Sequence, residues 1–373
     1  MVTVKQIVEQ VEQIAPPALA LPEDPAGLQT GSMDWEVRLL MLALDASLDT
    51  IQQAASRGAG MLLTHHPLIF KPLGRVDTQT RIGQAVACSL ENKVAVYSAH
   101  TNLDAARGGI NWTLADGLNL ERVQVLLGTS PERVKLVTFV PLSAAEELRN
   151  ALFAAGAGNI GDYSSCSFTT QGTGSFFGAE GTNPVAGRAG ELELVTEIRL
   201  EVILESEMIT PVVKALRDHH PYEEPAADLY PLLSSQKEEG LGLVGDLPGD
   251  MTIEDVSGDF VRLLGIRTVR LVGDRNARVR RLALCAGSGA SLLESAAASG
   301  ADLFVTGDVK YHDARGAQEA GLPVLDVGHF APERYGLEKF GAMLESKINA
   351  TGANVQFIYA EEEDPFTALP GSQ

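Results

Sequence analysis

The segment Met61-Leu62-Leu63-Thr64-His65-His66-Pro67 says more about the fold of this chain than any other stretch. Its apolar residues predict a buried strand, and Pro67, which has no backbone N–H to donate, ends that strand. Adjacent strand residues point to opposite faces, so His65 and His66 at a strand end suit two neighbouring ions better than one. The alternative interpretation is a capped strand end without a metal.

Two later segments carry similar chemistry. They are His100-Thr101-Asn102-Leu103-Asp104 and Gly328-His329-Phe330-Ala331-Pro332-Glu333. Each combines imidazole with carboxylate and has no thiolate, which is the ligand set of Zn, Mn, Fe, Co or Ni sites. The three segments together therefore favour a metal centre.

The surroundings of the first segment recur near the other end of the chain. Residues 54–66 (AASRGAGMLLTHH) resemble residues 296–308 (AAASGADLFVTGD): each has a small-residue helix end, a Gly-Ala turn and an apolar strand. Further apolar strands flank them in the same order: Leu39–Leu44 and Val94–Ala99, then Leu282–Ala286 and Val324–Val327. Alternation of helix and apolar strand predicts two related α/β halves with a largely parallel sheet. The alternative explanation of this short internal match is that the two segments are unrelated and share only the residues that their turns require.

The region between the halves has a different pattern. It predicts a strand at Lys135–Val140, a helix at Ser143–Ala155, a strand at Leu192–Leu204, a helix opened by Thr210-Pro211 and a strand at Ala226–Leu232. This is a ferredoxin-like plan. We therefore expect residues 131–240 to be an α+β domain inserted into an α/β core made of residues 1–130 and 241–373, with Ser234–Gly240 as the exit linker. Gly172 and Gly174 predict a turn or bulge.

Composition bounds the class of protein. A chain of 373 residues is expected to form two or three domains. A net charge of −20 argues against binding DNA or RNA in general, and no apolar run is long enough to span a membrane. Three isolated cysteines and the absence of a secretion signal predict a cytoplasmic protein. The first residues instead predict an amphipathic helix that Thr3 and Gln6 cap.

Four strings together resemble the GTP cyclohydrolase I type 2 homologues, also called the Nif-three-like family. They are LLTHHPLIF, YSAHTNLDAARGGIN, ADLFVTGDVKYHDA and DVGHFAPER. Two further strings, CSFTTQGTGSFFG and HHPYEEPAADLYPL, resemble the PII/CutA-like insert of the long bacterial members. The resemblance implies a toroidal homohexamer with two divalent metal ions in each subunit.

By position, the resemblance implies five metal ligands: His65, His66, Asp104, His329 and Glu333. Glu333 would bridge both ions, and its spacing of four residues from His329 supports this if a helix begins there. We expect one ion to be held by His66, Asp104 and Glu333, and the other by His65, His329 and Glu333.

Other residues invite a functional interpretation. His100 is a candidate catalytic residue for proton transfer, and a structural hydrogen bond is the alternative. Asp308 is expected either to line the cavity or to cap a helix. His219-His220 repeats the histidine pair but lies at a predicted helix end, which favours a structural role.

The expected function is that of a metal-dependent hydrolase acting on a nucleotide or related small molecule. The family name implies GTP, opened at its imidazole ring with loss of formate, although no residue pattern identifies a guanine site. The alternative is a non-catalytic regulatory or scaffold hexamer whose insert senses a ligand or partner.

Overall fold

The computed structural model describes residues 2–128, 133–161, 163–185, 187–232 and 239–367. Within these ranges the protein is a mixed α/β structure of eleven α-helices and seventeen strands. It divides into two compact units: a core unit, Met1–Ser130 with Gln236–Gln373, and a middle unit, Pro131–Ser235. Among the described residues, no helix has the length and apolar character needed to cross a membrane.

The first part of the core unit alternates helices with short strands. Its elements are β1 (Val2–Thr3), α1 (Val4–Ile14), β2 (Gly27–Thr30), β3 (Glu36–Val37), β4 (Leu39–Asp45), α2 (Leu48–Arg57), β5 (Met61–His66), α3 (Arg81–Glu91), β6 (Ala95–Ser98), α4 (Thr101–Ala105), α5 (Ile110–Gly117) and β7 (Glu121–Gly128). The predicted amphipathic helix is α1, and Thr3 and Gln6 form its capping box. That prediction is confirmed.

The middle unit follows. Its elements are β8 (Arg133–Val140), α6 (Ala145–Ala154), β9 (Ser167–Phe177), β10 (Leu192–Glu205), α7 (Ile209–His219) and β11 (Asp228–Pro231). Helix α7 begins two residues before Pro211, which therefore lies third rather than first in the helix. Proline is tolerated there because the first-turn N–H groups have no partner within the helix.

The chain then returns to the core unit. The remaining elements are β12 (Gly240–Thr252), α8 (Ile253–Leu264), β13 (Arg270–Val272), β14 (Arg278–Leu284), α9 (Leu293–Ala298), β15 (Leu303–Thr306), α10 (Tyr311–Ala320), β16 (Val324–Asp326), α11 (Phe330–Ala350) and β17 (Gln356–Tyr359). Of the expected exit linker, residues 234–238 lie outside the described part of the chain, and Gly240 already begins β12.

Two sheets form the frame of the core unit. One has the order β17-β4-β5-β6-β2, and its strands β17, β4, β5 and β6 are parallel to one another. The other has the order β13-β16-β15-β14-β12-β7, in which only β14, β15 and β16 are mutually parallel. The expectation of a largely parallel sheet is therefore wrong for the second sheet. Strands β7 and β12 join it as long antiparallel neighbours, and the three-residue strand β13 is antiparallel at the opposite edge.

One continuous apolar core lies between the two sheets. It includes Met61 and Leu63 of β5, Leu282 of β14 and Phe340 of α11. Helices α2 and α3 cover the other face of the first sheet, where Leu62 is buried. Because side chains alternate along a strand, His65 continues the inward series of Met61 and Leu63, whereas His66 belongs to the opposite series.

The middle unit has its own sheet and core. Its four strands are all antiparallel and have the order β11-β8-β10-β9, and α6 and α7 cover one face over Leu136, Leu200 and Val202. The turn or bulge predicted at Gly172 and Gly174 is wrong, because both residues lie in β9 in regular register with β10. Glycine disfavours strands in general, so the pattern gave no sign of this one.

Candidate metal centre

Three segments of the core unit meet at one point. His65 and His66 are the last two residues of β5, and Asp104 lies in the short helix α4. His329 immediately precedes α11, and Glu333 lies in the first turn of that helix. The structure therefore brings together all five residues that were expected to bind metal.

Glu333 lies at the middle of this group. Its Oε1 is 3.0 Å from His329 Nε2 and 3.7 Å from His65 Nε2, and its Oε2 is 3.2 Å from His66 Nε2. The residue is only 3% exposed. Glu333 is thus a buried carboxylate whose two oxygens face three imidazoles.

The distances favour a different division of the ligands from the one expected. His65 Nε2 is 3.6 Å from Asp104 Oδ1, and His66 Nε2 is 3.4 Å from His329 Nε2. His65 points to the inner face of β5, toward α4. Leu103 and Ala105, on either side of Asp104 in α4, belong to the central core. His65 thus pairs with Asp104 and His66 with His329, the reverse of the expected pairing.

His100 lies beside the same group. Its ring centroid is 5.2 Å from that of His65 and 5.8 Å from that of His66. The side chains form two sets of three, and within each set the donor atoms all lie within 4.8 Å of one another. One set is His65, His66 and His100, and the other is His66, His329 and Glu333. His100 therefore has the position of an additional ligand as well as that of a proton carrier.

The Nδ1 atom of each imidazole is held by an oxygen. The partners are Ala99 O at 2.9 Å for His65, Asp45 Oδ1 at 2.9 Å for His66, Asp24 Oδ1 at 2.8 Å for His100 and Asp308 Oδ2 at 2.8 Å for His329. Such contacts fix the ring and direct the other nitrogen, Nε2, toward a metal.

Two of these partners, Asp24 and Asp45, were not identified from the sequence. Asp45 could have been, because it ends β4, directly beside the end of β5 in a parallel sheet. Asp24 lies in a loop and carries no local signal. Asp308 was expected either to line the cavity or to cap a helix. The helix-cap alternative is wrong, because Lys310 is the N-cap of α10, and Asp308 contacts His329 of the candidate centre.

Buried polar atoms without hydrogen-bond partners indicate whether these residues fit a metal ion. Within the described ranges, the buried atoms His65 Nε2, Asp104 Oδ1 and Glu333 Oε2 make no hydrogen bond of acceptable geometry. Burying such groups unpaired costs free energy. His65 Nε2 lies 3.6 Å from Asp104 Oδ1, and Glu333 Oε2 lies 3.2 Å from His66 Nε2, so all three atoms belong to the same group of side chains. The imidazole and carboxylate donors fit a divalent ion of the Zn, Mn, Fe, Co or Ni type.

Gly287 leaves room for this arrangement. It has a φ of +63°, and a Cβ at that position would overlap Glu333 Oε1 and crowd His329 Nε2. Glycine is therefore required on two grounds, the backbone conformation and the close approach of the carboxylate.

The electrostatics of the group match its ligand character. Burial would raise the pKa of Glu333, but the surrounding His65, His329 and His66 outweigh it and hold that pKa well below its usual value. Burial lowers the pKa of His66, but Asp45 and Glu333 outweigh it and raise the pKa to about 10. Contact with Glu333 chiefly raises the pKa of His329, to about 9. The raised pKa values of His66 and His329 favour their protonated forms, and a metal ion bound there would compete with those protons.

The second histidine pair, His219 and His220, lies in the middle unit, and its imidazoles contact backbone carbonyl oxygens. His219 lies at the C-terminal end of α7, with its Nδ1 3.0 Å from Ala215 O. His220 is buried, and its Nε2 lies 3.1 Å from Phe139 O. The expected helix-end position of the pair is confirmed.

The fold and this cluster define a mixed α/β protein with a group of histidine and glutamate side chains able to hold metal. A family model described as Duf34/NIF3 (NGG1p interacting factor 3) matches residues 2–365, so the chain belongs to that family. The family predicted from the four sequence strings is confirmed.

Individual relatives agree along nearly the whole chain. A Halalkalibacterium halodurans protein named GTP cyclohydrolase 1 type 2 homolog is 38% identical over 367 residues, 97% of this chain and 98% of that protein. The crystal structure of a Bacillus cereus protein related to NIF3 is 38% identical, with a TM-score of 0.68 over 98% of this chain and 99% of that one. Staphylococcus aureus protein SA1388 is 26% identical, with a TM-score of 0.73 over the same shares.

Proposed function

We propose that this protein holds two divalent metal ions in the core unit and is a metal-dependent hydrolase. The observation that carries the proposal is the position of Glu333, whose two oxygens face the imidazoles of His65, His66 and His329. His65, Asp104 and Glu333 would hold one ion, with His100 within reach of it. His66, His329 and Glu333 would hold the other.

When bound, two such ions activate water and polarise a substrate oxygen. The residues of this chain position that chemistry. Asp45 and Asp308 fix the rings of His66 and His329. His100, whose Nδ1 is 2.8 Å from Asp24, is the residue proposed to carry a proton away from the reacting water.

A nucleotide or related small molecule is the proposed substrate class. Phe70 has 62% of its surface exposed, and its ring centroid lies 6.4 Å from that of His100. An exposed aromatic ring beside the ligand group offers a stacking surface for a planar base. The name GTP cyclohydrolase 1 type 2 homolog, borne by relatives, makes GTP the first compound to test.

The test is hydrolysis of GTP, other nucleotides and phosphoesters by the metal-loaded protein, measured with His100→Gln beside it. We expect turnover by the wild-type chain and a large loss of kcat in His100→Gln, with metal content measured in both proteins to separate loss of proton transfer from loss of an ion. Absence of turnover with every compound, in protein that contains two ions, would favour the alternative function.

That alternative is a non-catalytic regulatory or scaffold protein whose insert senses a ligand or partner. The order β11-β8-β10-β9 with two helices on one face supports a ferredoxin-like, PII/CutA-like fold for the middle unit. We propose this unit as an insert of residues 131–240 between two related core halves, 1–130 and 241–373. We propose the cytoplasm as the location of the protein.

The proposed assembly is a homohexameric toroid. We expect light scattering to give a particle of about six times the 39.6 kDa chain at micromolar concentration. A monomer under these conditions would contradict both the toroid and its internal cavity.

The contacts of Asp45 and Asp308 predict that replacing either residue weakens metal binding without abolishing it. Replacing either residue by alanine removes the oxygen that fixes a ligand ring, which typically weakens metal binding about 10–100-fold. We expect Asp45→Ala and Asp308→Ala to weaken one of the two ions more than the other, because both contact the His66 and His329 side of the group. Competition titration with a chelator measures this, with Asp49→Ala as a control. Equal affinities in all three variants would contradict the assignment.

A further inference from the structure

A cavity of about 800 Å³ lies in the middle unit, on the face of the sheet that the helices leave open. The register places Gly172 opposite Glu197 and Thr170 opposite Arg199, so these four residues share that face. The alternate residues of β10, such as Leu200 and Val202, are buried beneath α6 and α7. The cavity is therefore a feature of the middle unit alone and does not involve the metal centre.

A buried carboxylate forms part of the cavity wall. Glu197 is 9% exposed, and its Oε1 accepts a hydrogen bond of 2.7 Å from the Tyr222 hydroxyl. A Cβ at position 174 would overlap Oε2 of Glu197, so Gly174 is what allows this carboxylate to lie across β9. Gly174 of β9 thus has a structural reason that a turn would not explain: it makes space for the Glu197 carboxylate inside the cavity.

The charges around the cavity are predominantly negative. Glu223 and Glu224 line it together with Glu197, and Arg199 is the positively charged residue among the lining side chains. Arg199 already donates from Nε to Glu201 at 2.8 Å. An anionic ligand would face this acidic lining and the net charge of −20 on the chain, whereas a cation would be attracted by both.

Aromatic side chains complete the wall. Phe139, Phe176 and Tyr222 all line the cavity. Aromatic faces attract organic cations and pack against their apolar parts. The volume lies within the range typical of sites for small organic ligands.

We propose that this cavity binds a small organic ammonium ion, with the ammonium group on Glu197 and the apolar part against the aromatic side chains. The site is distinct from the proposed hydrolase centre, and its occupancy does not depend on whether that centre is catalytic.

Calorimetric titration of the full-length, metal-loaded protein tests this proposal. The probes are phenethylamine and spermidine, with phenylacetate and orthophosphate as anionic counterparts. We expect at least one amine to bind at millimolar concentration or below, and neither anion to bind at this site. Failure of both amines, or binding of phenylacetate as tight as that of phenethylamine, would overturn the proposal.

Variants assign the binding to the cavity. Glu197→Gln preserves the shape of the side chain but removes its charge, so we expect amine affinity to fall about tenfold or more. Glu205→Gln removes the same charge from the exposed end of β10 and should leave affinity unchanged. Tyr222→Phe keeps the ring and removes only the hydroxyl that holds Glu197, and we expect a smaller loss. Equal affinity in wild type, Glu197→Gln and Tyr222→Phe would overturn the assignment, and metal content provides a readout that none of these variants should change.

Discussion

Glu333→Ala is expected to lose both metal ions, whereas the wild-type chain retains about two equivalents after purification without chelator. The oxygens of Glu333 lie 3.0–3.7 Å from the Nε2 atoms of three imidazoles, so its removal takes a ligand from each proposed ion at once. Loss of a residue that merely orients a ligand weakens binding about 10–100-fold, and loss of a shared ligand should exceed that. Elemental analysis of the purified variant measures the effect.

A neighbouring glutamate supplies the matched control. Glu338 lies on the same helix, α11, with half of its side chain exposed, and it contacts Arg334 rather than the histidines. Glu338→Ala should therefore retain both ions. If the wild-type chain binds only one ion after reconstitution, or if Glu333→Ala keeps two, the dinuclear proposal fails.

Excision of the middle unit is expected to leave a folded core that still binds both ions. Gly128 at the end of β7 pairs with Gly240 at the start of β12, so the two cut ends are neighbours in one antiparallel sheet. A short Gly/Ser linker can join them as a hairpin. All five proposed ligands lie in the core unit, as do the residues whose oxygens contact the Nδ1 atoms of the histidines.

Circular dichroism and metal analysis of the shortened chain check this expectation. The apolar core between the two sheets draws its residues from the core unit alone, so its packing should survive the deletion. A well-folded shortened chain without metal would show that the middle unit helps to build the site.

The sequence predicted those parts of the fold that depend on local pattern. The apolar run ending in His65 and His66 is strand β5, and the capping box at Thr3 begins α1. Strand β9 was missed because glycine generally disfavours strands, and the local sequence does not show that Gly174 makes room for Glu197 of the neighbouring strand. The antiparallel half of the second sheet was missed because strand direction depends on distant partners, β7 and β12.

The candidate site shows the same limit. The resemblance named residues that the structure places side by side, although their role as ligands remains a prediction. It did not give the pairing of His65 with Asp104, which follows from the direction in which β5 turns each side chain. Nor did it reveal Asp24, which lies 76 positions from His100 along the chain and meets it only through the fold.

Strand β17, from near the end of the described chain, lies beside β4 in the first sheet, and His329 lies 263 positions after His66. A growing polypeptide can therefore expose His65 and His66 long before the residues that complete their surroundings have been synthesised. Contacts so distant in sequence form late, because a long loop must close before they are gained. The middle unit, whose contacts are nearer in sequence, has all its residues available earlier. Metal capture would then be a late event on the ribosome or after release, and truncated chains lacking Glu333 would leave the ribosome without the complete set of proposed ligands.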